Sequence, residues 1–149
     1  MEIRNAKEGD LNSLVDLFDK YRKFYGKTSD VIGANDFLWE RLHKKDSEIY
    51  VCEHNGELTG FVQLYPLFSS TRMSKYWLLN DLFVDEKYRG KGISIELIDR
   101  AKQLVRESQA CGMYLETEKT NVIGNNLYPR AGFKLYDGSN FYEWEVDSL

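Results

Sequence analysis

Three stretches of the 149-residue chain carry the residues best suited to chemistry: YRGKGIS at 88–94, NDLFV at 80–84 and NVIGNNLYPRAGF at 121–133. In the first, Gly90 and Gly92 flank Lys91, with Arg89 just before and Ile93 and Ser94 just after. Glycine suits backbone that turns tightly or approaches a ligand closely, and free N–H groups beside positive charge are what a phosphate needs. The stretch reads either as an anion cradle or as a basic surface turn. The second stretch offers a carboxylate, Asp81, and the third a phenol, Tyr128, while Glu116 and Glu118 add acids between them. A tyrosine, with an ordinary pKa of about 10, is protonated at neutral pH and can donate to a departing anion. A carboxylate can attract a cationic amine or accept its proton through water. Each also has a plain structural reading: Tyr128 as a core aromatic, Asp81 as an exposed or salt-bridged acid, Asn121 as a helix cap. His43, near a helix end, and His54, beside a turn, read as solvated.

These residues need elements to place them. EIRNA makes a short strand, and in DLNSLVDLFDKYRKFYG the apolar residues recur at three- and four-residue steps, which predicts an amphipathic helix capped by Asp10 and ended by Gly26. ANDFLWERLHKK reads as a second helix with Phe37, Leu38 and Leu42 toward the core. Asn55-Gly56 between two β-rich runs signals a hairpin, and YWLLNDLFV extends the meander. After the glycines, Ile93, Leu97, Ile98, Ala101, Leu104 and Val105 fill one helical stripe, with Glu96 and Arg100 placed to pair outside it. GMYLETE then reads as a strand, NVIGNNLYPRAG as a short helix from Asn121 to Gly132, and FKLY with NFYEWEV as a closing hairpin. The glycine turn thus joins a strand to a helix.

The totals limit what such a site serves. A chain of this length suits one domain, here 1–149, and 42% hydrophobic residues suffice for a packed core. No apolar run approaches bilayer length and MEIRNAKEGD has no signal-peptide core, so the reading is cytoplasmic, with no membrane partner. A net charge of −4 argues against nucleic acid as partner. Cys52 and Cys111 form no CxxC pair, so neither a disulfide framework nor a metal cage is expected, and both read as buried, reduced residues.

Two known phosphate motifs fail against the turn. A Walker A loop needs Ser or Thr after Gly-Lys, and Gly92 stands there; a dinucleotide turn needs a third glycine where Ile95 stands. Glu116 does lie roughly where a ribose-binding acid would, so a nucleotide or dinucleotide binder stays open as an alternative.

The residues resemble the GNAT superfamily of acetyl-CoA-dependent N-acetyltransferases, whose turn of Arg or Gln, two residues, Gly, one residue, then Gly or Ala is similar to the run from Arg89 to Ser94. Only Ser94 departs. Asn121, Tyr128, Gly132 and Phe133 match a second family signature, with Gly124 in place of the usual Ala, and the opening EIRNAKEGDLNSLVDLF looks like the family's first strand and helix. The resemblance implies an α+β fold with a central, mostly antiparallel sheet flanked by helices, and direct transfer of acetyl from acetyl-CoA to a primary amine without metal or covalent intermediate. It assigns the pantetheine arm of coenzyme A to the backbone of Leu82, Phe83 and Val84, with an oxyanion donor near Phe83 or Val84. It assigns the pyrophosphate to the turn of Arg89, Gly90, Lys91, Gly92, Ile93 and Ser94, a further cofactor contact to Asn121, and proton donation to Tyr128. Diamine acetyltransferases carry a Glu-Asp pair before the turn; here it reads Asn80-Asp81, so the glutamate is missing, and Asp81 is left to attract the amine with Glu116 or Glu118 to accept its proton through water. Adjacent residues of a strand face opposite ways, so Asn80 and Asp81 line one site only if a bulge intervenes. Tyr21, Phe24, Tyr25, Trp39 and Trp77 offer an aromatic slot or plain core. The family implies a homodimer and a small-molecule or peptide amine as acceptor. The missing glutamate leaves a non-catalytic acyl-CoA sensor as the alternative.

Overall fold

The computed structural model describes residues 1–147. They fall into two compact units, Met1–Glu116 and a second beginning at Thr117. The first unit holds β1 (Glu2–Asn5), α1 (Leu11–Phe24), α2 (Val31–Lys44), β2 (Glu48–His54), β3 (Glu57–Ser69), β4 (Ser74–Val84), α3 (Ile93–Glu107) and β5 (Met113–Tyr114). The second holds α4 (Val122–Arg130).

The five strands form one sheet in chain order, antiparallel except for the last pair, β4 with β5. The β2–β3 turn follows from its residues, since Asn55 and Gly56 both adopt positive φ, 51° and 80°, as a tight hairpin requires. Alternation then divides the side chains. Ile49, Val51, Phe61 and Phe83 pack with Leu14, Leu17, Phe18 and Leu38 of the first two helices. On α3 the expected stripe is buried at Ile93, Leu97, Ile98, Ala101 and Leu104, and half-buried at Val105. Arg100 does not reach across to Glu96; its guanidinium lies 4.3 Å from the Tyr50 ring centre and 3.6 Å from Glu107.

The helix starts depart from the sequence reading for electrostatic reasons. Asp10 makes no side-chain cap to α1, because Arg4 takes both its oxygens at 2.8 and 2.9 Å and holds its pKa below the usual value. Helix α2 begins three residues before the expected Ala34, because Asp30 accepts from the Gly33 N–H at 2.9 Å and caps it. Phe37 is 38% exposed rather than core, stacked on Phe18 at 5.8 Å. Cys52 is buried as expected, but Cys111 is exposed, and its pKa is lowered chiefly by the Arg72 guanidinium at 3.6 Å.

The closing elements differ most. Only Met113–Tyr114 of GMYLETE is a strand, and FKLY and NFYEWEV form no hairpin, residues 133–147 being without strand structure. Two strands alone bury too little surface to hold together in water, and the five-stranded sheet takes in neither run.

Gly60 sets the distance between β3 and β4. A Cβ there would stand 2.8 Å from the Phe83 carbonyl oxygen and 3.2 Å from Val84 Cγ2. Because backbone cannot yield as a side chain does, Gly60→Ala should destabilise the fold by about 1–3 kcal/mol. Chemical denaturation checks this, and an unchanged midpoint would show that the strands separate at no cost.

Candidate active site

The candidate site grows from the far half of β4. Its pairing with β5 consists of Trp77 with Met113 and Leu78 with Tyr114. Pairing with β3 continues to Val84, so from Leu79 onward β4 is held in the sheet from one side. Asp85 donates to the Thr59 carbonyl at 2.8 Å, which places its backbone on the β3 side. By alternation Phe83 also directs its N–H and C=O toward β3, while Leu82 and Val84 direct theirs to the open side. The Val84 carbonyl accordingly accepts from Arg89 Nε at 3.0 Å.

Next comes the glycine turn. Gly90 and Gly92 have φ of 79° and 80°, and a Cβ at either would meet no atom within 4 Å. Their need for glycine is therefore conformational, and the space before them is open. Gly92 caps α3, and its carbonyl accepts from the Glu96 N–H at 3.1 Å. The N–H groups of Ile93, Ser94 and Ile95 precede that first helical bond and lie at the positive end of the helix dipole. Ile93 is buried, anchoring the helix start, while Lys91 is exposed with its ammonium 5.4 Å from the Tyr88 ring centre. Arg89 is committed otherwise, with its guanidinium between the rings of Phe24 and Phe83 at 5.7 and 5.5 Å.

Asn80 and Asp81 meet through a bulge. Leu79 pairs with Leu64 and Asp81 with Gln63, leaving Asn80 as the extra residue. Asn80 is exposed and Asp81 buried, yet Asn80 Nδ2 donates to both Asp81 oxygens at 3.1 Å. Gln63 Nε2 donates to Asp81 at 2.9 Å, and Gln63 Oε1 accepts from Ser47 at 3.0 Å. The Tyr21 hydroxyl lies 3.4 Å from the Asn80 carbonyl and within reach of the same carboxylate. Burial raises the Asp81 pKa, and the bonds from Gln63, Asn80 and Tyr21 work the other way without cancelling it. Burial, with the Asp81 charge adding, pushes the Tyr65 phenol up to about 12. Gln63 and Ser47 were outside the sequence reading; a glutamine inside the apolar run GFVQLY was the available signal.

The aromatic slot is smaller than the sequence suggests. Tyr21, Phe24 and Tyr25 join Phe83 and Phe61 edge to face at ring separations between 5.2 and 6.2 Å. Trp39 instead stacks on His43 at 3.9 Å, and Trp77 is buried with its Nε1 donating at 2.8 Å to Ser108, which caps the C-terminus of α3.

The remaining residues lie elsewhere in the chain. Glu116, exposed, is two residues past β5 and ends the first unit. In the second unit Asn121 Oδ1 accepts from the Gly124 N–H at 3.1 Å and its Nδ2 donates to Thr117 at 2.9 Å, so its capping role is realised. Tyr128, half-buried on α4, meets Phe133 edge to face at 5.9 Å. Among the described residues no three His, Cys, Asp or Glu side chains gather as a metal site, and no helix is long and apolar enough to cross a membrane.

The model of the acetyltransferase (GNAT) family matches residues 13–133. The chain belongs to this family. As a GNAT protein it is 42% identical over 134 residues to the uncharacterized N-acetyltransferase YhfO of Bacillus subtilis, covering 90% of each chain. It is 28% identical over 144 residues to a probable acetyltransferase of Haemophilus influenzae, covering 96% of this chain and 97% of the relative. A crystal structure of a probable acetyltransferase superposes over all of both chains with a TM-score of 0.93 at 36% identity. The GNAT chain is an N-acetyltransferase enzyme with the family's mixed α/β fold.

The Asp81 shift has a signed consequence. Its folded pKa is raised, so the folded chain binds that proton more tightly than the unfolded chain. The associated stability is present below the ordinary carboxylate value of about 4 and is lost as pH rises through the folded value. Asp10, Asp19 and Asp85 have lowered values and act in the opposite sense, so the comparison needs a variant. The thermal midpoint of Asp81→Asn relative to the parent should increase as pH rises from about 4 to about 8. A difference that is flat across that range would mean an ordinary Asp81.

Proposed function

We propose that the protein transfers the acetyl group of acetyl-CoA to a primary amine by direct attack, with residues 1–149 working as one N-acetyltransferase domain. The observation that carries this is the continuity of one open backbone edge, Leu82 to Val84, into a glycine turn that starts a helix. A thioester bound there would supply an activated acetyl group. The residues present suit it: Gly90 and Gly92 leave open space at the turn, and the N–H groups of Ile93 and Ser94 with Lys91 suit a pyrophosphate. The open-side backbone of Leu82 and Val84 suits the pantetheine amides, and a Leu82 or Val84 N–H suits the developing oxyanion better than Phe83, whose amide serves β3. Arg89 shapes the Val84 edge in this reading. Asn121 adds a cofactor contact beside its capping role.

Tyr128 holds the proton for the departing thiolate. Asp81, its carboxylate steadied by Gln63 and Asn80, attracts the amine, and Glu116 takes up its proton through water. Tyr21, Phe24 and Phe83 line the acceptor side, and the acceptor is a small-molecule or peptide amine, polyamine-like, amino-acid-like or protein-borne. A spermine/spermidine N(1)-acetyltransferase of Bacillus subtilis, 30% identical over 54% of this chain, favours the polyamine-like class. The setting is cytoplasmic and the working form a homodimer.

Tyr128→Phe should lower turnover ten-fold or more, about 1.4 kcal/mol per factor of ten, with little change in coenzyme A affinity. Unchanged turnover removes Tyr128 from the acid role, and coenzyme A binding without turnover on any amine would establish a sensor. Thermal unfolding with acetyl-CoA, coenzyme A, NAD and ATP in separate samples tests the ligand. A midpoint rise of roughly 5–10 °C with the two coenzyme A species alone is expected near a hundred-fold excess over Kd. A rise with NAD or ATP alone would overturn the acetyl-CoA reading.

A further inference from the structure

Gln63 is fully buried on β3, in a run that otherwise holds Phe61, Val62 and Leu64. An apolar side chain would fill that place without the desolvation cost a carboxamide carries, so its two polar ends call for a use. Nε2 donates to Asp81 Oδ2 at 2.9 Å, and Oε1 accepts from the Ser47 hydroxyl at 3.0 Å. The ladder accounts for the meeting, since Gln63 pairs with Asp81 on β4 and with Ile49 on β2, and Ser47 stands just before β2 begins. Three segments distant in sequence thus supply one chain of hydrogen bonds, from Ser47 to Gln63 to Asp81.

The far end of that chain decides which way the near end points. A carboxamide donates at one end and accepts at the other, and turning it over exchanges them. With Ser47 donating to Oε1, Nε2 is the end that faces Asp81, and a donor favours the ionised carboxylate. Turned over, the amide would offer Asp81 a carbonyl, which favours the protonated acid. Asn80 reaches the same carboxylate from the exposed side, whereas Gln63 holds Oδ2 from within. From α1 the Tyr21 phenol faces Asp81, and on β3 the Tyr65 phenol feels its charge. Arg41 of α2 is paired with Asp46 at 2.9 Å and Lys20 of α1 with Asp85 at 2.7 Å, and neither acts on Asp81. The protonation balance of Asp81 therefore rests on neutral donors, and Ser47 fixes the direction of one of them.

We infer that Ser47 and Gln63 are positioning residues for acetyl transfer: Ser47 locks the Gln63 carboxamide in one sense, and Gln63 thereby holds Asp81 in the anionic form that attracts a cationic amine. Neither residue touches the amine; both act through Asp81. Burial removes the water that would otherwise solvate this carboxylate and favours its protonation, and a donor built into β3 counters that. A donor already in place needs no reorganisation when the amine arrives. The inference rests on the reading of Asp81 as the group that attracts the amine.

The test is a titration of Asp81 in the full chain without ligand, by carboxyl carbon NMR, the signal being assigned by its loss in Asp81→Asn. Gln63→Met keeps the length of the side chain but cannot donate, and should raise the Asp81 pKa by about one unit or more. Ser47→Ala leaves Oε1 without its donor and frees the amide to turn over, and should move the titration in the same direction. Ser47→Thr keeps the hydroxyl and should titrate as the parent does. A packing role alone would lower the unfolding midpoint and leave the titration in place. An Asp81 titration that Gln63→Met does not move overturns the inference, as does one on which Ser47→Ala and Ser47→Thr act alike. Should Gln63→Met fail to fold by circular dichroism, the two Ser47 variants decide. The titration needs no turnover, so the readings fail separately: if Asp81→Asn acetylates amines at the parent rate while the titrations move as stated, the hold on Asp81 stands and the role given to Asp81 falls.

Discussion

Among the described residues the parallel ladder between β4 and β5 is two residue pairs long, Trp77 with Met113 and Leu78 with Tyr114, and the candidate site depends on its being so short. Backbone N–H and C=O groups are obligatory hydrogen-bonding groups, so a strand released on one side presents a row of them to whatever comes next. Were the ladder continued to Val84, the open edge would be consumed by the sheet. Instead β3 alone carries β4 forward, and Gly60 lets that pairing run close at the segment where the other side is free. The strand is followed by a turn in which two glycines take positive φ, and α3 starts directly after the second. One irregularity in sheet pairing thereby assembles amide groups of two kinds, from a strand edge and from a helix start.

Two acids four residues apart on this path show how environment divides similar groups. Asp81 is buried among neutral donors, and burial prevails, raising its pKa. Asp85 is also penalised by burial, but Lys20 at 2.7 Å and the Lys87 N–H at 3.0 Å outweigh that penalty and hold its pKa down. Asp85 thereby stays ionised to lower pH than an ordinary carboxylate, and its pair with Lys20 ties α1 to the residue that follows β4. Asp81 is left with a raised proton affinity, because the groups that face it among the described residues are neutral donors. The bulge at Asn80 permits this, bringing neighbouring side chains of one strand onto a single carboxylate.

Much of this was legible in the chain itself, wherever the controlling physics is local. The Asn55-Gly56 hairpin, the α3 stripe and the Asn121 cap depend on residues within a few positions of one another, and each appears where its pattern placed it. The glycine turn belongs with them, since positive φ at two nearby positions is a demand that Gly90 and Gly92 announce by themselves. Tertiary structure decided whatever depends on residues far apart. Arg4 drew Asp10 away from the α1 cap, Phe24 and Phe83 drew Arg89 away from the turn, and Gln63 and Ser47 became supports of Asp81 only once β3 lay beside β4. The aromatic residues of 133–147 carry the alternation of strands, but a ladder needs a neighbour, and a neighbour is a property of the assembled fold. Local conformational preference is written residue by residue, whereas pairing, burial and the pKa they set belong to whichever surfaces the folded chain brings together.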